Sequence, residues 1–183
     1  MSAQSFPLVS LEETRAAAAR IANIAVETPL VRAPFPGLSG YGTNKEIYLK
    51  AESLQPIGAF KIRGAANKIL QLTPEEVSRG VITYSSGNHA QGVAYAAREV
   101  GAKAVIVMPS NAPAIKRAAT LAMGAEIVDV GPASNDRLAK SDELVKAHGY
   151  GLAEVHGGLG FGGFDNDDCV APGEVVAGEA VFF

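Results

Sequence analysis

The sequence predicts an α/β fold in which helices flank parallel sheets. Three observations carry the prediction. From Val81 onward, short β-branched runs alternate with helix-forming runs, the pattern of successive βαβ units. A turn-rich stretch, Gln55-Pro56-Ile57-Gly58-Ala59-Phe60-Lys61-Ile62-Arg63-Gly64, joins a strand pattern to a helix pattern. A second one, Tyr84-Ser85-Ser86-Gly87-Asn88-His89-Ala90-Gln91-Gly92, does the same further on. Such crossovers are right-handed and build one parallel sheet.

Along the chain, Ser10-Leu11-Glu12-Glu13 has the form of a capping box, and a helix should run from there to about Asn23. Thr28-Pro29-Leu30 turns the chain, and Pro34 to Lys45 is a Gly/Pro-rich loop. Ile47-Tyr48-Leu49-Lys50-Ala51 alternates like a strand, and Ala65 to Leu70 is good helix material. Strands are expected at 81–84, 104–108 and 125–130, and helices at 90–100, 112–123 and about 134–147, with Gly149 past the end of the last. Residues 79–150 therefore read as a small βαβ domain, and residues 1–78 as part of a larger one. Residues 151–183 form a Gly/Asp-rich tail without helical periodicity.

Composition narrows the function. With 48% hydrophobic and 19% charged residues, the chain suits a globular protein. A net charge of -3 gives no electrostatic case for nucleic acid or an anionic membrane. No window approaches the roughly 18 apolar residues of a membrane span. The first residues lack a signal-peptide pattern, and Cys169 has no second cysteine to pair with, which points to the cytoplasm.

Lys61 is the residue that promises chemistry. A helix N-terminus carries a partial positive charge that disfavours a protonated amine, and burial beside Phe60 would act the same way. An amine so placed is a nucleophile suited to Schiff-base chemistry. A solvated lysine in a first helical turn is the plain alternative. The second stretch changes that balance. Ser85 to Gln91 sits where backbone N–H groups point beyond a strand's C-terminal end, a place for an anion. A turn that uses Ser, Gly and Asn for backbone reasons alone is the alternative there.

Together the two stretches resemble the serine/threonine dehydratase and serine racemase family of fold type II pyridoxal-phosphate enzymes. The family motifs read roughly Gln-Pro-(Thr)-Gly-(Ser)-Phe-Lys-x-Arg-Gly-Ala and Ser-Ser-Gly-Asn-His-(Ala/Gly)-Gln. Ile57 and Ala59 stand where the family often has hydroxyl residues. The resemblance covers about residues 10–150 and implies the tryptophan synthase β-like fold, with residues 1–78 the N-terminal part of the cofactor-binding domain. It implies that Lys61 holds pyridoxal 5'-phosphate, that Phe60 packs on the cofactor ring, and that Asn88 bonds its hydroxyl. For Phe60, ordinary core packing stays open. Ser85, Asn88, His89 and Gln91 would bind a small amino-acid substrate through its carboxylate. Ser86 matches the racemase acid/base, but dehydratases share the motif. The implied reaction is deamination of L-serine or L-threonine to a 2-oxo acid and ammonia, with racemisation as the alternative chemistry. For Arg63 an ion pair is the favoured reading over a phosphate contact.

The family's phosphate cup and metal ligands lie in a C-terminal half that this chain is expected to lack, so a non-catalytic fragment is the second expectation. Such a chain should have little lyase activity by itself, bind cofactor weakly and self-associate, as a homo-oligomer or less regularly. No metal site is expected in it: His156 has no second ligand at metal spacing, and Asp165, Asp167 and Asp168 miss the calcium-loop pattern because Val170 occupies its glycine position. Gly158-x-Gly160-x-x-Gly163 lacks the following helix of a dinucleotide site. His148 should be a helix C-terminal residue facing solvent.

Overall fold

A computed structural model describes residues 9–33 and 47–153. The loop expected at 34–45 and the tail features, His156, Cys169 and the Asp165–Asp168 cluster among them, lie outside the described residues.

Helix α1 (Leu11–Ile21) starts on the expected capping box: Glu13 N–H donates to Ser10 Oγ at 3.1 Å, and Ser10 N–H to Glu13 Oε2 at 2.7 Å. Strands β1 (Leu30–Arg32) and β2 (Tyr48–Lys50) pair antiparallel, Val31 opposite Leu49. The sequence reading saw a turn at Leu30 and missed β1. A 3-10 turn at Glu52–Leu54 follows, then α2 (Lys61–Ile69). The buried residues of α2 are Ile62, Ala65, Ala66 and Ile69, the i, i+3, i+4, i+7 stripe of an amphipathic helix. Ile62 and Ile69 are fully buried, worth about 1.5–3 kcal/mol each.

A short helix, α3 (Pro74–Arg79), was not anticipated. Its signal is in the sequence: Thr73 caps it, Pro74 opens it and Glu76 closes the box. Gly80 ends it with φ +90, and a Cβ there would lie 2.8 Å from the Lys103 carbonyl oxygen. Only glycine fits that turn.

The alternating half then runs as expected: β3 (Val81–Tyr84), α4 (Asn88–Glu99), β4 (Ala104–Pro109), α5 (Ala114–Ala122), β5 (Glu126–Val130) and α6 (Ser134–His148). Gly149 closes α6 in the left-handed conformation, its N–H donating to Val145 O at 2.8 Å. His148 stands exposed at the end of α6, its ring 5.2 Å from that of Tyr150. A two-residue strand, β6 (Gly151–Leu152), pairs parallel with β3. It was missed because two residues carry no periodicity. The parallel sheet has the order β5-β4-β3-β6.

Alternate strand residues face opposite layers. Val81, Ala104, Ile106 and Met108 join the core that holds α4 and α2, while Ile82, Val105 and Val107 pack under Leu144 and Val145 of α6. Helices on both faces explain why β4 is buried along its whole length. The larger core takes in Ile57, Ala59 and the α2 stripe together with Ala90, Val93 and Ala97 of α4. It therefore spans residue 78, where the sequence reading divides the chain.

Candidate active site

Two helix N-termini meet at the C-terminal end of β3. Helix α2 begins at Lys61, with Phe60 before it, and no side chain caps it. Helix α4 begins at Asn88, with Gly87 as its cap residue, and it too has no side-chain cap. Both ends present backbone N–H groups and partial positive charge.

The helices touch at their starts. A Cβ built on Gly92 would sit 3.2 Å from the Lys61 carbonyl oxygen and 3.4 Å from Ala65 Cβ. Asn88 lies four residues before Gly92, about 6 Å along the axis. Lys61 is thus about one turn from the Ser85–Asn88 loop. Its side chain is half-buried, with Nζ 5.3 Å from the centre of the Phe60 ring. Phe60 is 53% exposed, so ordinary core packing does not account for it.

Around the second loop, Ser85, Ser86, His89 and Gln91 are half-buried and Asn88 is exposed. Ser85 Oγ accepts from Gly87 N–H at 3.3 Å. His89 Nε2 pairs with the Ala153 carbonyl at 3.1 Å; a carbonyl only accepts, so this bond places a proton on Nε2. That contact ties the first turn of α4 to the end of β6. The structure thus brings Lys61 and Phe60 to one helix start and Ser85, Ser86, Asn88, His89 and Gln91 to its neighbour.

Behind Lys61 lies a group of polar residues, of which Arg63 alone has an ion pair expected from the sequence. Arg63 forms the ion pair that reading favoured, with Glu52: Nε to Oε2 at 2.9 Å and Nη2 to Oε1 at 2.7 Å. Arg63 Nη2 also donates to Val26 O at 3.0 Å. Thr28 Oγ1 and Gln55 Nε2 complete the shell of Glu52. Gln55 bonds both backbone groups of Val26, donating to its O at 2.8 Å and accepting from its N–H at 2.9 Å. The Arg63 guanidinium, with smaller help from Thr28 and Gln55, holds the Glu52 carboxyl below the usual carboxylate range. Glu52 and Thr28 lie 11 and 35 residues from Arg63, and Gln55, although inside the quoted stretch, reaches Val26 29 residues away, so the sequence does not show that they meet.

The donor set suits an anionic ligand with an aldehyde carbon. Neither Gln55–Gly64 nor Tyr84–Gly92 contains a carboxylate. They supply the Lys61 amine, the hydroxyls of Ser85 and Ser86, the His89 imidazole, the amides of Asn88 and Gln91, and two open helix ends. Among the described residues, no group of three or more His, Cys, Asp or Glu side chains could hold a metal, and no helix is long and apolar enough to cross a membrane.

A lysine and two uncapped helix starts lie at the carboxyl end of a parallel strand, the place where open α/β sheets as a class bind their ligands. The chain belongs to the pyridoxal-phosphate dependent enzyme family, whose model matches residues 21–162. It is 40% identical over 153 residues to the catabolic L-threonine dehydratase TdcB of Staphylococcus aureus, covering 84% of this chain and 44% of that protein. Maize serine racemase superposes with a TM-score of 0.73 at 38% identity, covering 79% of this chain and 43% of that one. The processed form of threonine deaminase isoform 2 from Solanum lycopersicum gives 0.66 at 35% identity, with 79% and 43% covered. The chain thus spans less than half the length of the relatives it matches. Fold type II architecture and dependence on pyridoxal phosphate follow from this membership.

Proposed function

We propose that this chain carries the lysine and the substrate-carboxylate loop of a pyridoxal-phosphate dependent ammonia-lyase acting on L-threonine or L-serine. The observation that supports it most is the placement of Lys61 within about a turn of the uncapped Asn88 helix start. The 40% identity to a threonine dehydratase supports the substrate class.

Lys61 Nζ would hold the cofactor, and Phe60, exposed beside it, would flank the ring. When bound, pyridoxal phosphate supplies a conjugated ring that takes up the electron pair left when the α-proton departs. The Ser85–Asn88 backbone and the side chains of Ser85, Asn88, His89 and Gln91 would hold the substrate carboxylate, since an open helix end favours an anion. Asn88 would also bond the cofactor hydroxyl. Lys61 Nζ, when not holding the cofactor, would be the base that accepts the α-proton. The products would be a 2-oxo acid and ammonia. Ser86 is the acid/base candidate for the opposite face, and the similarity to a serine racemase favours testing racemisation as the second reading. The protein would work in the cytoplasm, as a homo-oligomer.

Borohydride reduction after incubation with pyridoxal 5'-phosphate tests the lysine. The cofactor should be fixed on Lys61, and Lys61→Ala should remove the label. Finding it on Lys50 or Lys68 of the intact chain would overturn the assignment. Joining residues 1–153 to the second half of the Staphylococcus aureus relative tests the reaction: the chimera should release 2-oxo acid and ammonia in equal amounts from L-threonine, and none after Lys61→Ala.

A further inference from the structure

We propose that the Arg63–Glu52 pair, with Gln55 and Thr28, is a positioning clamp that fixes the rotation of α2 and so the direction of Lys61. The proposal rests on the reading of Lys61 as the cofactor lysine.

The geometry is that of a rigid start to a helix. Lys61 and Arg63 are two residues apart, so their side chains leave α2 about 200° apart, on nearly opposite sides. Arg63 points into a mostly buried pocket of acceptors: both oxygens of Glu52 and the carbonyl of Val26. Its side chain is 18% exposed and that of Glu52 14%. Glu52 is itself held by Thr28 and by Gln55, and Gln55 is fastened to the backbone of Val26. One carboxylate therefore joins three segments: the strand approach at 26–28, the 3-10 turn and the first turn of α2. On the α4 side, Gly92 leaves little room for even a Cβ beside the Lys61 carbonyl, so the helix start is flanked from two directions.

A planar guanidinium with two bonds to one carboxylate resists rotation, which a lysine ammonium does not. The consequence for Lys61 is geometric. At a helix's outer radius of about 5–6 Å, a ten-degree turn moves a side-chain end by about 1 Å. A displacement of that size at a reacting group costs on the order of a hundredfold in rate.

The test compares the intact chain with Arg63→Lys and Glu52→Gln, and with Arg117→Lys as a control. Arg117 forms a similar two-bond pair with Asp129, on α5 and β5. Two readouts are taken per folded molecule. One is the rate at which borohydride fixes pyridoxal 5'-phosphate on Lys61. The other is the reactivity of Lys61 relative to the other lysines in a brief acetylation pulse, which needs no cofactor. Both clamp variants should lose roughly ten- to a hundredfold in Lys61 labelling rate, and the acetylation ratio at Lys61 should shift. Arg117→Lys should do neither. Unchanged labelling and acetylation of Lys61 in the folded clamp variants, whatever their thermal midpoints, would overturn the clamp and leave the lysine assignment standing. A wild-type label on another lysine would instead overturn the assignment. If Arg63→Lys fails to fold, Glu52→Gln, which keeps the shape of the carboxylate group, decides the matter by the same two readouts.

Discussion

The backbones of Gly92 in α4 and Lys61 in α2 leave little room for a side chain between them: a Cβ on Gly92 would press on the Lys61 carbonyl carbon at 3.3 Å as well as on its oxygen. This close approach lets two helix N-termini share one end of the sheet. Adding a methyl has two opposed effects. Alanine gains about 0.5–1 kcal/mol over glycine in a helix interior, and overpacking against a neighbouring backbone costs about 1–3 kcal/mol. Gly92→Ala should therefore fall between neutral and about 2.5 kcal/mol destabilising, and Gly92→Val should reach at least the upper end. Urea unfolding checks this. A Gly92→Val chain as stable as wild type would mean that the helices separate without cost.

Glu52 gives a pH-dependent signal. Its carboxyl is held below its ordinary value of 4.5, chiefly by the hydrogen bonds from Arg63. A depressed carboxylate contributes stability that is complete above its unfolded value and is lost as pH falls through its folded one. At pH 7, Glu52→Gln should destabilise the chain, and Arg63→Ala should cost on the order of 3 kcal/mol because it leaves a mostly buried carboxylate unpaired. The difference between wild type and Glu52→Gln should shrink below about pH 4.5. Melting curves from pH 7 to pH 3 on both proteins isolate Glu52 from the other acids, and a constant difference across that range would contradict the assignment.

The unanticipated helix α3 depends on its cap. Thr73→Ala removes the hydroxyl that accepts from Glu76 N–H at 3.3 Å, and should cost about 1 kcal/mol. Ser10→Ala at α1 should cost a similar amount. Hydrogen exchange at the first turn of each helix would show which one loosens.

Ser86 separates the two chemistries of the proposed function. Racemisation needs an acid/base on each face of a planar intermediate, and elimination needs only one. Ser86→Ala in the chimera should lose any racemisation of serine and keep some elimination from the L-enantiomer. Equal loss of both would assign Ser86 to substrate binding or to the loop's structure.

By itself, the sequence determined the elements that are local or periodic. The Ser10 capping box, the β-branched strands from Val81 and the Gly149 stop are visible because each rests on residues a few places apart. Family resemblance, carried by two short stretches, pointed to the lysine and the loop for the same reason. Tertiary structure decided what depends on distance along the chain. Gly92 against Lys61, Glu52 around Arg63, His89 on Ala153 and the pairing of β6 with β3 join segments 11 to 70 residues apart. Such contacts form because a buried guanidinium, carboxylate or backbone edge must find a partner wherever the packed chain brings one. No pattern in the sequence encodes where that will be.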